Sequence, residues 1–479
     1  MKNYNQFKNF LWYLIPFGFK NFLPLIALPI FTRYISVEEF GLYALVIFYG
    51  TFGAGLANLG LSSVFERNFF EKTPIERKHL LWNILCFVIL FFLLIALITL
   101  QFNSFIGQSI FKNPNLEKLL LLGLFFQTFK SLNLYFLTYL KNYENAQKFT
   151  YLSILESSLS IGIAMGLVVY FSMGLYGFIL GQAIGVLITF IMTFFLLFFP
   201  FKNKFDIQLI KDQLNLSLPL TPRIFFGVIN SQFDRYMLGI LSSMGGVGHY
   251  DIGQKIANTS FTFMTTVQNI FAPQVYKRLF SKDIVVQKSV GAFLTPFFYL
   301  CILYCLTLAL FSSELIYILT PKEFHKAAPI VSILSILYGF YFFGKQPQLL
   351  IAKKTGLISI LSLVSIFLNI VFNVIFIKYY GVIGAAFATL LAGSISTAIS
   401  FYFGQKYTPI HYEKSLFVIL LYFVAVVLAH LFFDYLRFSN SFIIMFKIFG
   451  MLFYLILGRL LSVISISKLK VLLISLKQP

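Results

Sequence analysis

Apolar runs of about 20 residues recur along this chain almost without interruption, and few folds accommodate such a pattern. Each run is long enough to cross a hydrocarbon core of roughly 30 Å. With 59% of its 479 residues apolar and only 11% charged, a water-soluble fold would have nowhere to bury this surface. The runs are continuous rather than alternating, which excludes a β-barrel wall. The fold class is therefore an all-α polytopic membrane protein. About fourteen transmembrane helices are expected, near 10–32, 40–63, 80–101, 117–140, 149–171, 175–199, 214–237, 247–273, 290–312, 327–351, 356–378, 382–404, 415–434 and 441–463. The longest hydrophilic stretches, around 66–79, 200–213 and 276–289, are too short to fold as domains. The first run holds Lys20 and three prolines and lacks a small-residue cleavage site, so it is expected to be a retained span rather than a signal peptide.

Basic residues set the orientation. Most lie in the N-terminus, the even-numbered loops and the C-tail, among them Lys2, Lys8, Arg67, Lys72, Arg77, Lys78, Lys277, Arg278, Lys353, Lys354 and Lys468. Both termini are thus expected on the cytoplasmic side. The net charge of +20 reflects this topology, and no soluble basic face is present to bind nucleic acid. Cys86, Cys301 and Cys305 all fall within apolar runs, so neither a disulfide framework nor a metal site is implied.

Two segments share an unusual design: a proline-broken apolar helix with a basic residue inside it. The first reads Pro16-Phe17-Gly18-Phe19-Lys20 and continues through Pro24 and Pro29 to Arg33; the second reads Pro219-Leu220-Thr221-Pro222-Arg223 and continues to Asp234 and Arg235. The pairs Pro16/Lys20 and Pro219/Arg223 have one spacing and stand 203 positions apart. A charge near the bilayer centre costs roughly 2.5–3.5 kcal/mol on insertion scales, so it is rarely left there without a use. Interrupted helices at matching places in two halves point to the binding site of a carrier. The repeat extends further: Met173-Gly174-Leu175-Tyr176-Gly177 matches Tyr380-Gly381-Val382-Ile383-Gly384 at an offset of 207. Gly177, Gly181 and Gly185 correspond to Gly384, Ala388 and Ala392, a small-residue ridge suited to closing a helix pair. An offset of six spans makes the repeats parallel. Two six-helix bundles, 1–199 and 214–405, are expected to face each other across a central cleft. A cytoplasmic linker at 200–213 would join them, and 406–479 would add two further helices and a cytoplasmic tail.

The stretch Leu28-Pro29-Ile30-Phe31-Thr32-Arg33-Tyr34-Ile35-Ser36-Val37-Glu38-Glu39-Phe40-Gly41-Leu42-Tyr43 closely resembles the opening of Wzx-type polysaccharide flippases. Leu218 through Leu238, Lys354-Thr355 leading to Asn369 and Asn373, and Gly381 through Ala386 are similar to that family as well. The resemblance covers at least the first twelve spans. It implies membership of the superfamily that also holds MATE drug exporters and lipid II flippases, hence a MATE-like fold. It further implies movement of undecaprenyl-pyrophosphate-linked oligosaccharide from the cytoplasmic to the periplasmic leaflet of a bacterial inner membrane, for O-antigen, capsule or related glycans. Membrane lipids and a polysaccharide polymerase are the expected partners, the driving ion is open among H⁺, Na⁺ and neither, and no cofactor is expected.

Such a substrate needs a wet, cationic cleft for its head. The candidate head-group residues are Lys20, Arg223, Lys345, Lys130 and Lys255. Lys130 and Lys255 have the alternative of snorkelling to an interface. Arg33 and Arg235 stand at expected periplasmic helix ends, suited to gating. Among intramembrane carboxylates, Asp251 lies four residues before Lys255, the spacing of a structural ion pair. Asp234 is adjacent to Arg235, Glu66 closes the second span, and Glu156 has no local partner, which makes it the candidate for ion coupling. Two rivals are weighed. A MATE-like exporter of small cations would favour an acidic cleft. A membrane glycosyltransferase or polymerase would present catalytic carboxylates or a large loop. No Gly-Lys-Ser/Thr phosphate loop occurs, so ATP hydrolysis by this chain is not expected, and the carrier reading involves no covalent chemistry.

Overall fold

The computed structural model describes residues 2–198, 204–281, 283–344 and 346–463. Helices joined by short turns make up the whole of that range, with no strand among the described residues. By packing, the chain divides into two compact units, 1–248 and 249–479, the division falling inside one long helix.

The first unit contains α1 (Lys2–Tyr34), α2 (Val37–Asn58), α3 (Leu61–Asn68), α4 (Pro74–Phe105), α5 (Glu117–Asn142), α6 (Ala146–Val169), α7 (Gly174–Phe198), α8 (Ile207–Ser217), α9 (Thr221–Leu241) and the start of α10 (Met244–Leu279). The second holds the rest of α10, α11 (Ile284–Lys288), α12 (Val290–Leu310), α13 (Ser312–Leu319), α14 (Ala328–Gly344), α15 (Gln348–Ile351), α16 (Thr355–Tyr407), α17 (Lys414–Tyr435) and α18 (Asn440–Leu460). Ten of these helices are long and apolar enough to cross a membrane. One of the ten, α16, is two helices broken at Gly381. The polar-interrupted α1, α9 and α10 supply the remaining expected spans, so all fourteen fall on helix.

Helix boundaries follow local chemistry. Ser36 caps α2: its hydroxyl accepts from the Glu39 amide while the Glu39 carboxylate accepts from the Ser36 amide, a reciprocal capping box. Thr73 and Glu76 do the same for α4, with Pro74 in the first turn. The stretch 200–213, expected as a linker, carries the start of α8. Asp206 caps this helix, and Asn68 Nδ2 donates to Gln213 Oε1 at 2.7 Å, docking it on α3.

The repeat is written in the backbone as well as in the sequence. Gly174 and Gly381, 207 positions apart, both have positive φ, at 51° and 56°. Each opens the sixth span of its half. With ψ at −130°, Gly381 occupies a region essentially closed to side chains. Gly381→Ala is expected to cost about 1–3 kcal/mol, read as a lower melting temperature.

Units drawn by packing and bundles drawn by symmetry differ at α9. The expected second bundle starts at residue 214, yet α9 packs against α2 in the first unit. The last two helices are fixed within the second unit. Tyr299 on α12 and Tyr454 on α18 stack at 4.6 Å and each donates its hydroxyl to the other's carbonyl. Tyr422 on α17 donates to the Gly450 carbonyl of α18 at 2.6 Å.

Candidate functional site

The first unit bears an open cavity of about 330 Å³ among α1, α2, α3, α5, α6 and α9. Two helices build most of its polar wall by simple periodicity. Thr51, Ala54, Gly55 and Asn58 stand at positions i, i+3, i+4 and i+7 of α2, and Gln127, Lys130, Ser131 and Leu134 repeat that spacing on α5. The two faces are held side by side because Gly50 lies directly against the backbone of Gly123; a Cβ there would strike the Gly123 carbonyl. Asn58 Nδ2 donates to Ser131 Oγ at 3.4 Å, while its Oδ1 accepts from the Ser62 amide at 3.2 Å.

Three charged side chains line the cavity. Lys20 comes from α1, whose internal Pro16, Pro24 and Pro29 each remove a backbone donor. Because α1 packs along α6, the Lys20 ammonium reaches Glu156, with Nζ 3.7 Å from Oε1. The Glu156 side chain is 10% exposed and that of Lys20 is 35% exposed, so the carboxylate is the buried partner. Lys130 is exposed and stands 5.5 Å from the centre of the Phe126 ring. The expectation concerned only a local partner, and Glu156 has no charged partner nearby in the sequence. Its partner is 136 residues earlier in the chain, brought near only by helix packing.

The other expected site residues are placed elsewhere. Arg33 is exposed at the end of α1. Asp234 is buried, and Arg235 donates to the Ser231 carbonyl of its own helix at 3.4 Å; neither lines the cavity. Glu66 pairs with Lys141 at 2.7 Å. In the second unit Lys255 pairs with Asp251 at 2.6 Å, the one-face ion pair that their spacing predicts. Lys345 and the side chain of Arg223 lie outside the described residues. Sequence reasoning passed over Thr51, Asn58, Gln127 and Ser131, although a polar stripe of helical period inside an apolar run was there to be read.

A clearer omission lies in the second unit. Lys447 of α18 is buried to 2% exposure, and its ammonium sits 2.7 and 2.8 Å from the two carboxylate oxygens of Glu314, at the start of α13. Buried His430 of α17 lies beside this pair, its Nδ1 without a hydrogen-bond partner.

Residues 7–269, more than half of the chain, match the profile of a family described as polysaccharide biosynthesis protein. The chain belongs to that family. The match bears out the resemblance carried by Leu28–Tyr43. Among curated proteins it is similar to the probable low-salt glycan biosynthesis flippase Agl15 of Haloferax volcanii, 26% identical over 194 residues, 40% of this chain and 41% of that protein. The chain thus matches about two fifths of that relative's length. Among solved structures, the lipid II flippase MurJ in an inward closed conformation aligns with a TM-score of 0.68 at 18% identity, over 95% of this chain and 100% of the other. A mutant of the Vibrio cholerae MATE transporter VcmN aligns at 0.55 and 15% identity, over 85% and 98%. The fold is therefore MurJ- and MATE-like, as expected.

Proposed function

We propose that this protein is a flippase that moves undecaprenyl-pyrophosphate-linked oligosaccharide from the cytoplasmic to the periplasmic leaflet of a bacterial inner membrane. The observation that carries the reading is the first-unit cavity. Two ammonium groups, Lys20 and Lys130, share it with hydroxyl and amide side chains at helical spacing. Ammonium groups bind phosphate oxygens with charge-assisted hydrogen bonds, and hydroxyls and amides suit a sugar. A cavity for small cations would reverse this balance.

In this reading the site is exposed to the two sides of the membrane in turn, both termini are cytoplasmic, and no covalent step occurs. Arg223, Lys345 and Lys255 are assigned, with Lys20 and Lys130, to head-group contacts. Asp234, Arg235 and Arg33 are assigned to gating, and Glu156 to coupling with H⁺ or Na⁺. A polysaccharide polymerase would consume the delivered product.

The test is leaflet-resolved detection of undecaprenyl-linked glycan in cells depleted of the protein, comparing intact spheroplasts with inverted vesicles. Glycan is expected to accumulate on the cytoplasmic face and to be cleared by the intact gene. Each charge-assisted hydrogen bond is worth roughly 1.5–3 kcal/mol, so Lys20→Ala with Lys130→Ala should slow clearance at least about tenfold at normal abundance. Clearance at the intact rate would remove these lysines from the site. A normal leaflet distribution with new sensitivity to cationic dyes would replace the flippase by a drug exporter.

A further inference from the structure

Within the first unit α9 packs principally on α2, and a smaller grip on it comes from a segment outside both helices. The seam between α9 and α2 runs past the cavity. Beside the cavity, Phe225 packs on Phe52 and Val228 lines the wall. One turn on along α9, Gln232 Nε2 donates to Thr51 Oγ1 at 3.5 Å. At that level the cavity ends on α2 and α5, because Gly50 and Gly123 bring the two backbones together one turn before Ala54 and Gln127. Just beyond this closed end lies a layer of rings. Tyr236 of α9 stacks on Phe48 of α2 at 5.6 Å and 26°. Phe111 meets the Tyr236 ring edge to face at 5.6 Å and 90°, and the Ile110 carbonyl accepts from the Tyr236 hydroxyl at 3.4 Å. Both ring arrangements are among those that aromatic pairs favour.

Ile110 and Phe111 belong to a segment whose backbone is not ordinary helix. Helix α4 is broken at Phe102 (φ −114°, ψ 19°), and a π-helical turn, Ile106–Ile110, follows it. Lys112 then takes a φ of 53°. Such turns are rare and concentrate at functional sites, and a lysine stays in the left-handed region only where its surroundings hold it. Here they do. Ser104 Oγ and Gln108 Nε2 both donate to the Glu117 carboxylate of α5, at 3.0 and 2.8 Å. Phe111, 3% exposed, also lies edge-on to Tyr49 of α2, whose hydroxyl shares a 2.6 Å hydrogen bond with Thr99 of α4. The segment is thus braced on α2, α4 and α5, and through Tyr236 it grips α9.

Resting on the flippase reading above, we propose that residues 106–111 are a latch that holds α9 on α2 across the closed end of the cavity, and that release of Tyr236 opens the cavity toward the end at which α2 begins. In the orientation given above that end is periplasmic. The braces tie the latch to α4 and α5, so α9 is the part that moves. Gating on α9 then rests on an aromatic grip as well as on the neighbouring Asp234 and Arg235.

The experiment is labelling of one reporter cysteine, Val228→Cys, in full-length protein whose three native cysteines are replaced by alanine. A membrane-impermeant maleimide is applied to spheroplasts, which present the periplasmic face, and to inverted vesicles, which present the cytoplasmic face. With the latch intact the reporter should label from inverted vesicles and only slowly from spheroplasts. Two lost ring contacts change a closed-to-open ratio about tenfold, so Tyr236→Ala and Phe111→Ala should each speed spheroplast labelling by that factor. Labelling from inverted vesicles should not rise. The double variant should do little more than either alone, because both remove the same contact. Tyr236→Phe keeps the rings and should stay near the intact rate. Unchanged spheroplast labelling in both alanine variants would overturn the latch. A rise from both faces would mark loosened packing and would overturn it as well. The assay uses no substrate, so either of these results leaves the head-group reading standing. A reporter that labels from neither face with the latch intact would instead overturn the cavity as a carrier site, and the latch with it.

Discussion

Replacing Glu314 with alanine is expected to destabilise the second unit by about 3–5 kcal/mol, the largest single-residue effect anticipated there. The reason is an asymmetry in exposure. Lys447 is 2% exposed and both Glu314 oxygens hold its ammonium, whereas the Glu314 side chain is 41% exposed. Removing the carboxylate strands a buried cation near the Phe311 ring and the orphaned imidazole of His430. Removing the cation strands only a carboxylate that can be solvated. Lys447→Met should therefore cost no more than about 1–2 kcal/mol, and Lys447→Met with Glu314→Gln should return close to the original stability. Cys301 and Cys305 are free and buried in α12 of the same unit, so with the half-buried Cys86 of the first unit replaced by serine a thiol-reactive dye reports its unfolding. The melting temperature should fall by on the order of 10 °C for Glu314→Ala. Equal melting of Glu314→Ala and the unaltered protein would show that Lys447 finds another partner.

Lys447 also marks a limit of reading the chain alone. It sits inside the last expected span, 441–463, as visibly as Lys20 sits inside the first. Pseudo-symmetry drew attention to the first twelve spans, and a charge with no repeat counterpart went unweighed. What was legible followed from one-dimensional rules: run length gave the spans, and residue spacing gave the Asp251–Lys255 pair. The 207-residue offset aligned Gly174 with Gly381, which the structure shows to share positive φ. What was not legible depends on which helix lies against which. Lys20 and Glu156 are each conspicuous in sequence, but nothing local says that α1 packs on α6. Likewise α9 reads as the start of the second repeat and packs with the first unit, because repeat symmetry records descent of the chain and not its contacts. The stripes Thr51/Asn58 and Gln127/Ser131 lie between these cases. Their period is visible, but their facing each other depends on the tight Gly50–Gly123 approach, and glycine spacing does not name its partner.

Gly181→Leu is expected to disable the protein from a position that touches no substrate. Helices α6 and α7 are the most extensively packed pair in the structure. Their closeness depends on Gly181 and Gly185. A Cβ on Gly181 would fall on the backbone of Ala164, and one on Gly185 on the backbone of Ser160. Backbone cannot rotate aside as a side chain can, so the helices must separate. Even the single methyl of Gly181→Ala is expected to cost about 1–3 kcal/mol, and the leucine more. Gly162→Ala on the facing helix is the control. Nothing lies within 4 Å of a Cβ there, and a helical alanine gains up to about 1 kcal/mol over glycine. The functional loss should exceed the loss of folded protein, because α6 carries Glu156 and α1 packs on α6. Moving α6 away from α7 shifts the carboxylate relative to Lys20, whose 3.7 Å separation is already at the outer range of an ion pair. Glycan clearance in Gly181→Ala, corrected for abundance, should therefore drop several-fold while Gly162→Ala clears at the intact rate. If corrected clearance were unchanged in Gly181→Ala, the helix pair would be a passive scaffold, and the alignment of Lys20 with Glu156 would not depend on it.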